Sequence, residues 1–209
     1  MNDDSVLVLD PVNQKIIDQA LNSGIKNFIG SNCTVSCLLM AVGALFKEGL
    51  VEWLSSNTYQ AASGGGASHM QELLKQMGSI YDSVESDLNN TTNTILEIDK
   101  KVLSQQNKFT RDEVSCFGVP LAGNLIPWID ADMGNGTSLE EWKGHAETNK
   151  ILGINYLDKL NSIPVDFSCV RIGTMRCHSQ SLVVKLKKDI SISQIEDLIS
   201  NFNEWVQVV

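Results

Sequence analysis

The chain has 209 residues, of which 43% are hydrophobic and 20% charged, and its formal net charge is -9 at pH 7. This length and composition are typical of a globular protein with a sizeable core, and the acidity would repel a nucleic-acid backbone. The longest apolar stretch, residues 37–46, is about half of the ~20 residues that a bilayer span needs, and the N-terminus is acidic. We therefore expect a cytoplasmic protein that binds neither nucleic acid nor membrane.

The first thirty residues have the pattern of a βαβ unit. Residues 6–10 are apolar and β-branched, residues 13–21 have helical spacing, and residues 25–30 are strand-like after Gly24, which suits a helix C-cap. Parallel strands of this kind need neighbours on both sides. We therefore expect the unit to end a larger sheet that begins further upstream.

A buried helix and a long strand follow. Residues 34–50 are apolar almost all round, which predicts a helix enclosed in the core with Cys33 at its N-terminus. Residues 51–62 are strand-like, and the SGGG segment that follows is a flexible turn. Apolar residues at helical spacing over 70–84 then predict an amphipathic helix.

Two capping boxes are predicted in the second half of the chain, after a further helix over residues 95–105. Ser138 with Glu141 fits a capping box that opens one helix, and Ser193 with Glu196 fits a second.

Two strands are predicted towards the end of the chain. Alternating apolar residues predict one over residues 177–186, before the second capping box. Residues 203–209 are strand-like without a visible partner, so we expect the chain to continue downstream.

Cys33 is the first candidate for chemistry. A thiol at a helix N-terminus is close to free backbone N–H groups and to the positive end of the helix dipole, which favour the thiolate and offer an oxyanion site. The alternative is that Cys33 is a small buried apolar residue, as many cysteines are. Cys37 suits that alternative better, because it lies one turn inside the helix.

His178 is a candidate acid/base. It begins a predicted strand whose Leu182, Val184 and Leu186 share its side by period-two alternation. The alternative is a hydrogen-bonded core histidine, and the spacing leaves open whether His178 meets Cys33.

Three charged residues are candidates for binding a substrate that carries both positive and negative charges. Glu140 and Lys143 lie three apart on one predicted helix and project from the same face, whereas Glu141 is assigned to the capping box. Arg171 could clamp a carboxylate with its bidentate guanidinium. Ordinary solvated ion pairs are the alternative for all of them.

The SGGG segment does not complete a dinucleotide-binding fingerprint. A G-x-G-x-x-G pattern starting at Gly64 needs a third glycine where His69 stands. The cysteine count of 5 is odd, and the cysteines lack the paired C-x-x-C spacing that holds zinc, so we expect reduced thiols and no metal site.

Taken together, five segments resemble aspartate-semialdehyde dehydrogenases of the branch typical of Gram-negative bacteria. In chain order these are SNCTVS, TYQAASGGG, LIPWID, EEWKGHAETNKILG and RIGTMRCHSQ. The resemblance extends over nearly the whole chain. It implies NADPH-dependent reduction of L-aspartyl-4-phosphate to L-aspartate 4-semialdehyde with release of phosphate, a step towards lysine (through diaminopimelate), methionine and threonine.

The resemblance also implies a fold and a domain organisation. It implies an α+β domain with a mixed sheet and flanking helices, like the C-terminal domain of glyceraldehyde-phosphate dehydrogenase, and a homodimer formed through this domain. Residues 1–30 correspond to a remnant of the nucleotide-binding domain, and residues 31–209 to the catalytic, substrate-binding and dimerisation domain. The family's main NADP-binding domain and its C-terminal segment have no counterpart here, so we expect this chain alone to be inactive.

The resemblance assigns roles position by position. Cys33 is the nucleophile that forms an acyl thioester, and His178 is its acid/base partner. The remaining assignments are Gln60, Glu140 and Arg171 for the substrate, Lys143 for phosphate, and Ser63, Gly64 and Gly65 for the loop near the nicotinamide.

Two departures and two rival interpretations remain. Ser31 and Cys37 stand where the family leads us to expect glycine and leucine. The first rival is a reductase of another acyl phosphate, although Glu140 with Arg171 favours a substrate that carries an amino and a carboxylate group. The second rival is a dimerisation module without catalysis, in which Cys33 would show no unusual thiol reactivity.

Overall fold

A computed structural model of the chain describes residues 4–90 and 92–209, and these form two compact units. Unit 1 contains the chain up to Thr58, Ile129–Cys169 and His178–Val209. Unit 2 contains Tyr59–Trp128 and Val170–Cys177. The fold class is α+β as predicted, with a mixed sheet flanked by helices and a small parallel sheet near the N-terminus.

The helices and most of the strands follow the predicted order, but the strands at Leu125–Ile126 and Val165–Ile172 were not predicted. In chain order they are β1 (Ser5–Val8), α1 (Gln14–Asn22), β2 (Asn27–Gly30), α2 (Cys33–Lys47), β3 (Val51–Gln60), a short 3-10 helix (Ala62–Gly65), α3 (Ala67–Leu88), α4 (Ile95–Gln106), β4 (Leu125–Ile126), α5 (Leu139–Ile151), β5 (Val165–Ile172), β6 (Ser179–Leu186) and α6 (Ile192–Ser200). In the part of the chain given by residues 4–90 and 92–209, no helix is both long and apolar enough to cross a bilayer.

The small sheet of unit 1 has the predicted βαβ pattern. β1 and β2 pair in parallel, with Ser5 opposite Asn27 and Val8 opposite Gly30. Helix α1 connects them and buries Ile17 on its inner face. Because β2 ends at Gly30, the chain enters α2 almost directly from the end of a strand.

The core of unit 1 surrounds α2. Its Val35, Leu38 and Leu39 are completely buried, as predicted for a helix that is apolar almost all round, and they cluster with buried residues of β3, α5 and β5. In the larger sheet β3 lies between β5 and β6. Helix α5 approaches β5 closely at Gly144, where an added Cβ would lie 2.2 Å from the Phe167 ring. This close approach fixes α5, and with it Glu140 and Lys143, against the sheet.

Unit 2 is built around α3. A small core of Ala62, Leu73, Leu121 and Ala122 is buried there. Gln76 of α3 accepts the backbone N–H groups of Leu121 at 2.9 Å and Ala122 at 3.1 Å, so the helix holds the loop that precedes β4.

Helix α6 begins earlier than predicted. Its N-cap is Ser191, whose hydroxyl accepts the Gln194 N–H at 3.2 Å while Gln194 Oε1 accepts the Ser191 N–H at 3.0 Å. The predicted capping box of Ser193 and Glu196 is therefore wrong. Two serines in the sequence Ser-Ile-Ser could each cap a helix, and the first of them does.

The predicted strand over residues 203–209 is also wrong, because these residues form turns and irregular structure. Phe202 packs over Gly43, and Asn203 Nδ2 donates to Met40 O at 3.1 Å. These contacts direct the end of the chain along α2 instead of along the edge of a sheet.

Candidate active site

The predicted nucleophile lies at the start of the buried helix. Cys33 is the first residue of α2, and the side-chain oxygen of Asn32 caps the helix by accepting the N–H groups of Thr34 at 2.9 Å and Val35 at 3.2 Å. Cys33 is exposed, so a substrate can reach it. Cys37, for which a buried position was the better fit, is exposed as well, because it lies four residues on and shares the outer face of the helix.

The surroundings of Cys33 raise the pKa of its thiol. Removal of water from around the sulfur makes the largest contribution, and the negative charge of Glu140 adds to it. The backbone N–H groups of Thr34 and Cys33 lower the pKa, because they stabilise the thiolate, but they do not outweigh the rest. The helix start alone was expected to favour the thiolate. In the free protein the thiol instead needs a base to become a nucleophile.

Asn32 also joins the start of α2 to α5. Its side-chain amide donates to Glu140 Oε1 at 2.9 Å, and its backbone N–H donates to Glu147 Oε2 at 2.8 Å. Glu140 and Glu147 are seven residues apart, which is about two turns of a helix, so they share one face. Two carboxylates of α5 therefore hold the residue immediately before Cys33.

Ser31 extends this polar neighbourhood. Its hydroxyl lies 2.7 Å from the hydroxyl of Ser36, and Ser36 also donates to the carbonyl oxygen of Asn32 at 2.8 Å. The serine that replaces the glycine expected at position 31 thus gains a hydrogen bond at the start of α2.

Lys143 lies beside two carboxylates. Its Nζ is 2.7 Å from Asp130 Oδ2 and 3.5 Å from Glu140 Oε2, which confirms that Glu140 and Lys143 project from one face of α5. Burial alone would lower the pKa of Lys143, but the hydrogen bond to Asp130 and the charge of Glu140 raise it overall. The pKa of Asp130 is lowered, chiefly by the hydrogen bond from Lys143. Lys143 is thus firmly charged, as an anion ligand must be.

Glu141 has the predicted capping role. It accepts the Ser138 N–H at 2.8 Å, and its own N–H donates to the Ser138 hydroxyl at 3.2 Å. Its other oxygen accepts the Cys169 N–H of β5 at 3.3 Å. Glu141 therefore anchors α5 to the sheet, whereas Glu140 and Lys143 contact Asn32 and Asp130.

His178 lies at the entrance to β6. It is half-buried, and the strand starts one residue later than His178, because Cys177 has a positive φ of 73° that breaks the extended backbone. Two residues after His178, Gln180 Nε2 donates to Thr34 O at 2.8 Å. This hydrogen bond ties the start of β6 to the first turn of α2, so the segments that carry His178 and Cys33 meet.

Gln60 and Arg171, the other two predicted substrate ligands, lie in unit 2. Gln60 is the last residue of β3 and is buried. Arg171 lies on β5 opposite Ile126, is buried, and donates from one guanidinium nitrogen to Ala61 O at 2.7 Å. Ala61 follows Gln60 in the chain, so this hydrogen bond brings the Arg171 guanidinium to the end of β3. A buried guanidinium is a suitable carboxylate ligand.

The loop with Ser63, Gly64 and Gly65 forms the short 3-10 helix, and its N–H groups donate to backbone carbonyls of the loop and of residues 174–175. The N–H groups of Ala62 and Ser63 donate to Thr174 O and Met175 O, and the Gly64 N–H donates to Ala61 O. Gly65 packs under the His69 ring, where an added Cβ would lie 2.4 Å from ring carbons. His69, which interrupts the dinucleotide fingerprint, is therefore a packing partner of this loop.

The hydrogen bonds and ion pairs that join the start of α2 to α5 and Lys143 form a network around Cys33. Three of its residues were not predicted from the sequence: Asn32, Asp130 and Glu147. Asn32 carried a signal, since asparagine is a preferred N-cap residue. Glu147 carried a weaker one, because it follows Glu140 by seven positions. Asp130 carried none, since only the fold brings it to Lys143. In residues 4–90 and 92–209 no three His, Cys, Asp or Glu side chains are grouped to hold a metal ion.

Comparison with known proteins places this geometry in a family. Residues 42–209 match the model of the semialdehyde dehydrogenase dimerisation domain. An aspartate semialdehyde dehydrogenase from Francisella tularensis is 44% identical, with a TM-score of 0.85 over 99% of this chain and 54% of its own. Aspartate semialdehyde dehydrogenase II from Vibrio cholerae, complexed with ASA, is 25% identical, with a TM-score of 0.70 over 95% of this chain and 49% of its own.

A third structure has the same fold at lower identity. The aspartate semialdehyde dehydrogenase with NADP from Candida albicans is 17% identical, with a TM-score of 0.50 over 95% of this chain and 45% of its own. The fold and the matched domain define the dimerisation domain of an oxidoreductase of the semialdehyde dehydrogenase class. The chain belongs to the aspartate-semialdehyde dehydrogenase family, and it spans about half the length of the solved structures it matches.

Proposed function

We propose that the chain is the catalytic and dimerisation portion of an enzyme that reduces L-aspartyl-4-phosphate to L-aspartate 4-semialdehyde with NADPH and releases phosphate. The step would serve lysine, methionine and threonine biosynthesis. The observation that carries the proposal is an accessible thiol at the start of a buried helix that Asn32 caps, with a charged lysine on the neighbouring helix. The family membership supports it.

The proposed chemistry passes through a thioester on Cys33. The thiol proton goes to His178, the sulfur attacks the acyl carbon of the aspartyl phosphate, and the bond from that carbon to the phosphate oxygen breaks. NADPH, when bound, supplies the hydride that brings the thioester carbon to the aldehyde level. The carbon–sulfur bond then breaks to release the aldehyde, and the departing sulfur recovers the proton from His178.

The raised pKa of Cys33 supports a separate base. A thiol that keeps its proton at neutral pH reacts slowly, because the thiolate is the nucleophile. The hydrogen bond from Gln180 to the first turn of α2 supports His178 as that base, since it fixes the chain two residues after His178 against the helix of Cys33.

The charges support the proposed substrate contacts. Lys143 binds the phosphate group in exchange for part of its contact with Asp130, and Glu140 binds the substrate ammonium. Arg171 binds the α-carboxylate through its guanidinium, and Gln60 orients the substrate. All four roles come from the resemblance, and the burial of Glu140, Arg171 and Gln60 is consistent with ligands held in one orientation.

The loop of Ser63, Gly64 and Gly65 fits only part of a dinucleotide. Gly64 is exposed and lacks a side chain, so the flat nicotinamide ring could approach it closely. The N–H groups of Ser63 and Gly64 already donate to backbone carbonyls, so they do not form a cradle for the diphosphate. The proposed contact of these three residues is therefore with the nicotinamide end.

Three further parts of the proposal concern organisation. A homodimer is supported by the match to a dimerisation domain. The boundary between a nucleotide-domain remnant at residues 1–30 and a catalytic domain at 31–209 stays a prediction, as does a cytoplasmic location.

Freshly prepared aspartyl phosphate tests the proposal without NADPH. We expect it to acylate Cys33 and release one phosphate per chain, which intact-protein mass spectrometry and a phosphate assay would show. The adduct should be removed by hydroxylamine, as a thioester is. Cys37→Ser is the matched control and should be acylated normally, whereas acylation at Cys37 or phosphate release without an adduct would contradict the proposal.

A further inference from the structure

One carboxylate beside the nucleophile has no role in the proposed chemistry. Glu147 lies on α5, and only 9% of the residue is exposed. Its Oε2 accepts the backbone N–H of Asn32 at 2.8 Å. A carboxylate is costly to bury unless it is hydrogen-bonded. We therefore regard the buried Glu147 carboxylate and its hydrogen bond to the Asn32 backbone as a specific feature of the site.

Asn32 links Glu147 to Cys33. Its side-chain oxygen accepts the N–H groups of Thr34 and Val35, and its backbone continues directly into Cys33. Rotation of the Asn32 backbone would move that oxygen away from both N–H groups and change the first turn of α2. The bond from the Asn32 N–H to Glu147 opposes this rotation.

The first turn of α2 matters because its N–H groups lower the pKa of the Cys33 thiol. The N–H groups of Thr34 and Cys33 are the two contributions that stabilise the Cys33 thiolate, against desolvation and the charge of Glu140. If the turn loosens, those two contributions weaken while the opposing ones remain. The pKa of the thiol would then rise further, and its reactivity would fall.

Glu140 and Glu147 hold Asn32 in different ways. Glu140 binds the Asn32 side chain and also lies 3.5 Å from Lys143, so a substrate ammonium on Glu140 would compete for the same carboxylate oxygens. Glu147 binds the Asn32 backbone, which that competition does not affect. The nucleophile can thus stay in position while Glu140 exchanges partners.

Burial raises the pKa of Glu147, and the Asn32 N–H and the charge of Lys143 oppose this shift. Glu140 adds to the shift, and Lys150 opposes it. On α2, the titratable residues nearest to Asn32 in the sequence are Cys33 and Cys37, and the charge of Cys37 also raises the pKa of the Cys33 thiol.

We propose that Glu147 is a positioning residue for the nucleophile, which holds the Asn32 N–H and thereby keeps the Asn32 cap and the first turn of α2, where Cys33 lies, in place. The inference rests on the proposed role of Cys33 as the nucleophile.

Alkylation of the full chain with iodoacetamide tests the inference, with Cys33 and Cys37 followed separately by peptide mass spectrometry over a range of pH. Glu147→Ala is expected to slow alkylation of Cys33 about fivefold near neutral pH, the size of effect seen on losing a helix cap, and to move its pH profile upwards. Cys37 should react as in the wild type. Glu147→Gln, whose amide oxygen can still accept the Asn32 N–H, should keep Cys33 within about twofold of the wild-type rate.

The outcomes separate this inference from the proposed function. An unchanged Cys33 rate and pH profile in Glu147→Ala would overturn the positioning role. Parallel changes at Cys33 and Cys37 would also overturn it, because they report general loosening of α2. Failure of aspartyl phosphate to acylate the wild-type Cys33 would instead overturn the proposed function, whatever the two Glu147 variants do.

Discussion

The start of α2 in unit 1 and the glycine-rich loop in unit 2 both present a run of backbone N–H groups, but they use them differently. At α2 the Asn32 side chain caps the helix by accepting the Thr34 and Val35 N–H groups, and the N–H groups of Cys33 and Thr34 lower the pKa of the Cys33 thiol. In the loop the N–H groups of Ser63 and Gly64 donate to other carbonyls. A turn rich in glycine therefore does not bind an anion unless its N–H groups are left for the ligand.

The largest effect predicted by this comparison concerns NADPH. We expect the 209-residue chain to show no saturable NADPH binding by fluorescence and no NADPH-dependent turnover, because the glycine-rich loop offers no cradle for the diphosphate. Positioning of reactants is worth about five orders of magnitude or more in rate. Saturable binding together with steady turnover would show that the loop does more than approach the nicotinamide.

The second prediction compares the two thiols of α2. Cys33→Ser should reduce acylation by aspartyl phosphate by about a thousandfold or more, because a hydroxyl at that position is a much weaker nucleophile. Cys37→Ser should retain most of the rate, since only Cys33 lies at the start of the helix. Comparable losses in the two variants, measured by phosphate release, would remove Cys33 from its proposed role.

The third prediction concerns the charges around the substrate. Glu140→Ala and Arg171→Ala should each slow acylation by aspartyl phosphate about tenfold to a hundredfold, the typical cost of a lost charge-assisted hydrogen bond. Glu141→Ala is the matched control and should mainly lower stability, by about 1 kcal/mol, because it removes a capping box. A larger kinetic loss in Glu141→Ala would mean that the roles of the neighbouring glutamates are reversed.

The fourth prediction tests whether the loop of unit 2 is built for packing. Gly65→Ala should lower the free energy of unfolding by about 1–3 kcal/mol, because the new methyl group would overlap the His69 ring. His69→Ala combined with Gly65→Ala should recover part of that loss, as followed by thermal unfolding. Equal stability of Gly65→Ala and the wild type would show that the ring moves aside at no cost.

The smallest effect is in the pH dependence of Cys33. Because its thiol pKa is raised, the thiolate fraction at neutral pH is smaller than that of an ordinary cysteine, and alkylation should be correspondingly slower there. The rate should rise with pH and level off only above the ordinary thiol range. A plateau below that range would show that the N–H groups of the helix start outweigh desolvation and Glu140.

Much of the fold could be predicted from sequence because the relevant forces are local. The all-apolar segment after Cys33 had to be buried on every side, and the spacing of Ser138 and Glu141 specified both a helix start and the register of α5. The same register placed Glu140 and Lys143 on one face. The cap of α6 could not be read in this way, since Ser191 and Ser193 satisfy the same local rule and packing chose between them.

The sequence by itself determined the candidate residues for chemistry, most of the helices and strands that carry them, and the family that they resemble, but it did not predict the strand of Arg171. Only the tertiary structure decided that Asp130 pairs with Lys143, that Glu147 holds the N–H before Cys33, and that desolvation outweighs the helix start in setting the thiol pKa. The reason is physical: helix register depends on neighbours in the chain, whereas desolvation and ion pairing depend on groups that are distant in the sequence until the chain folds.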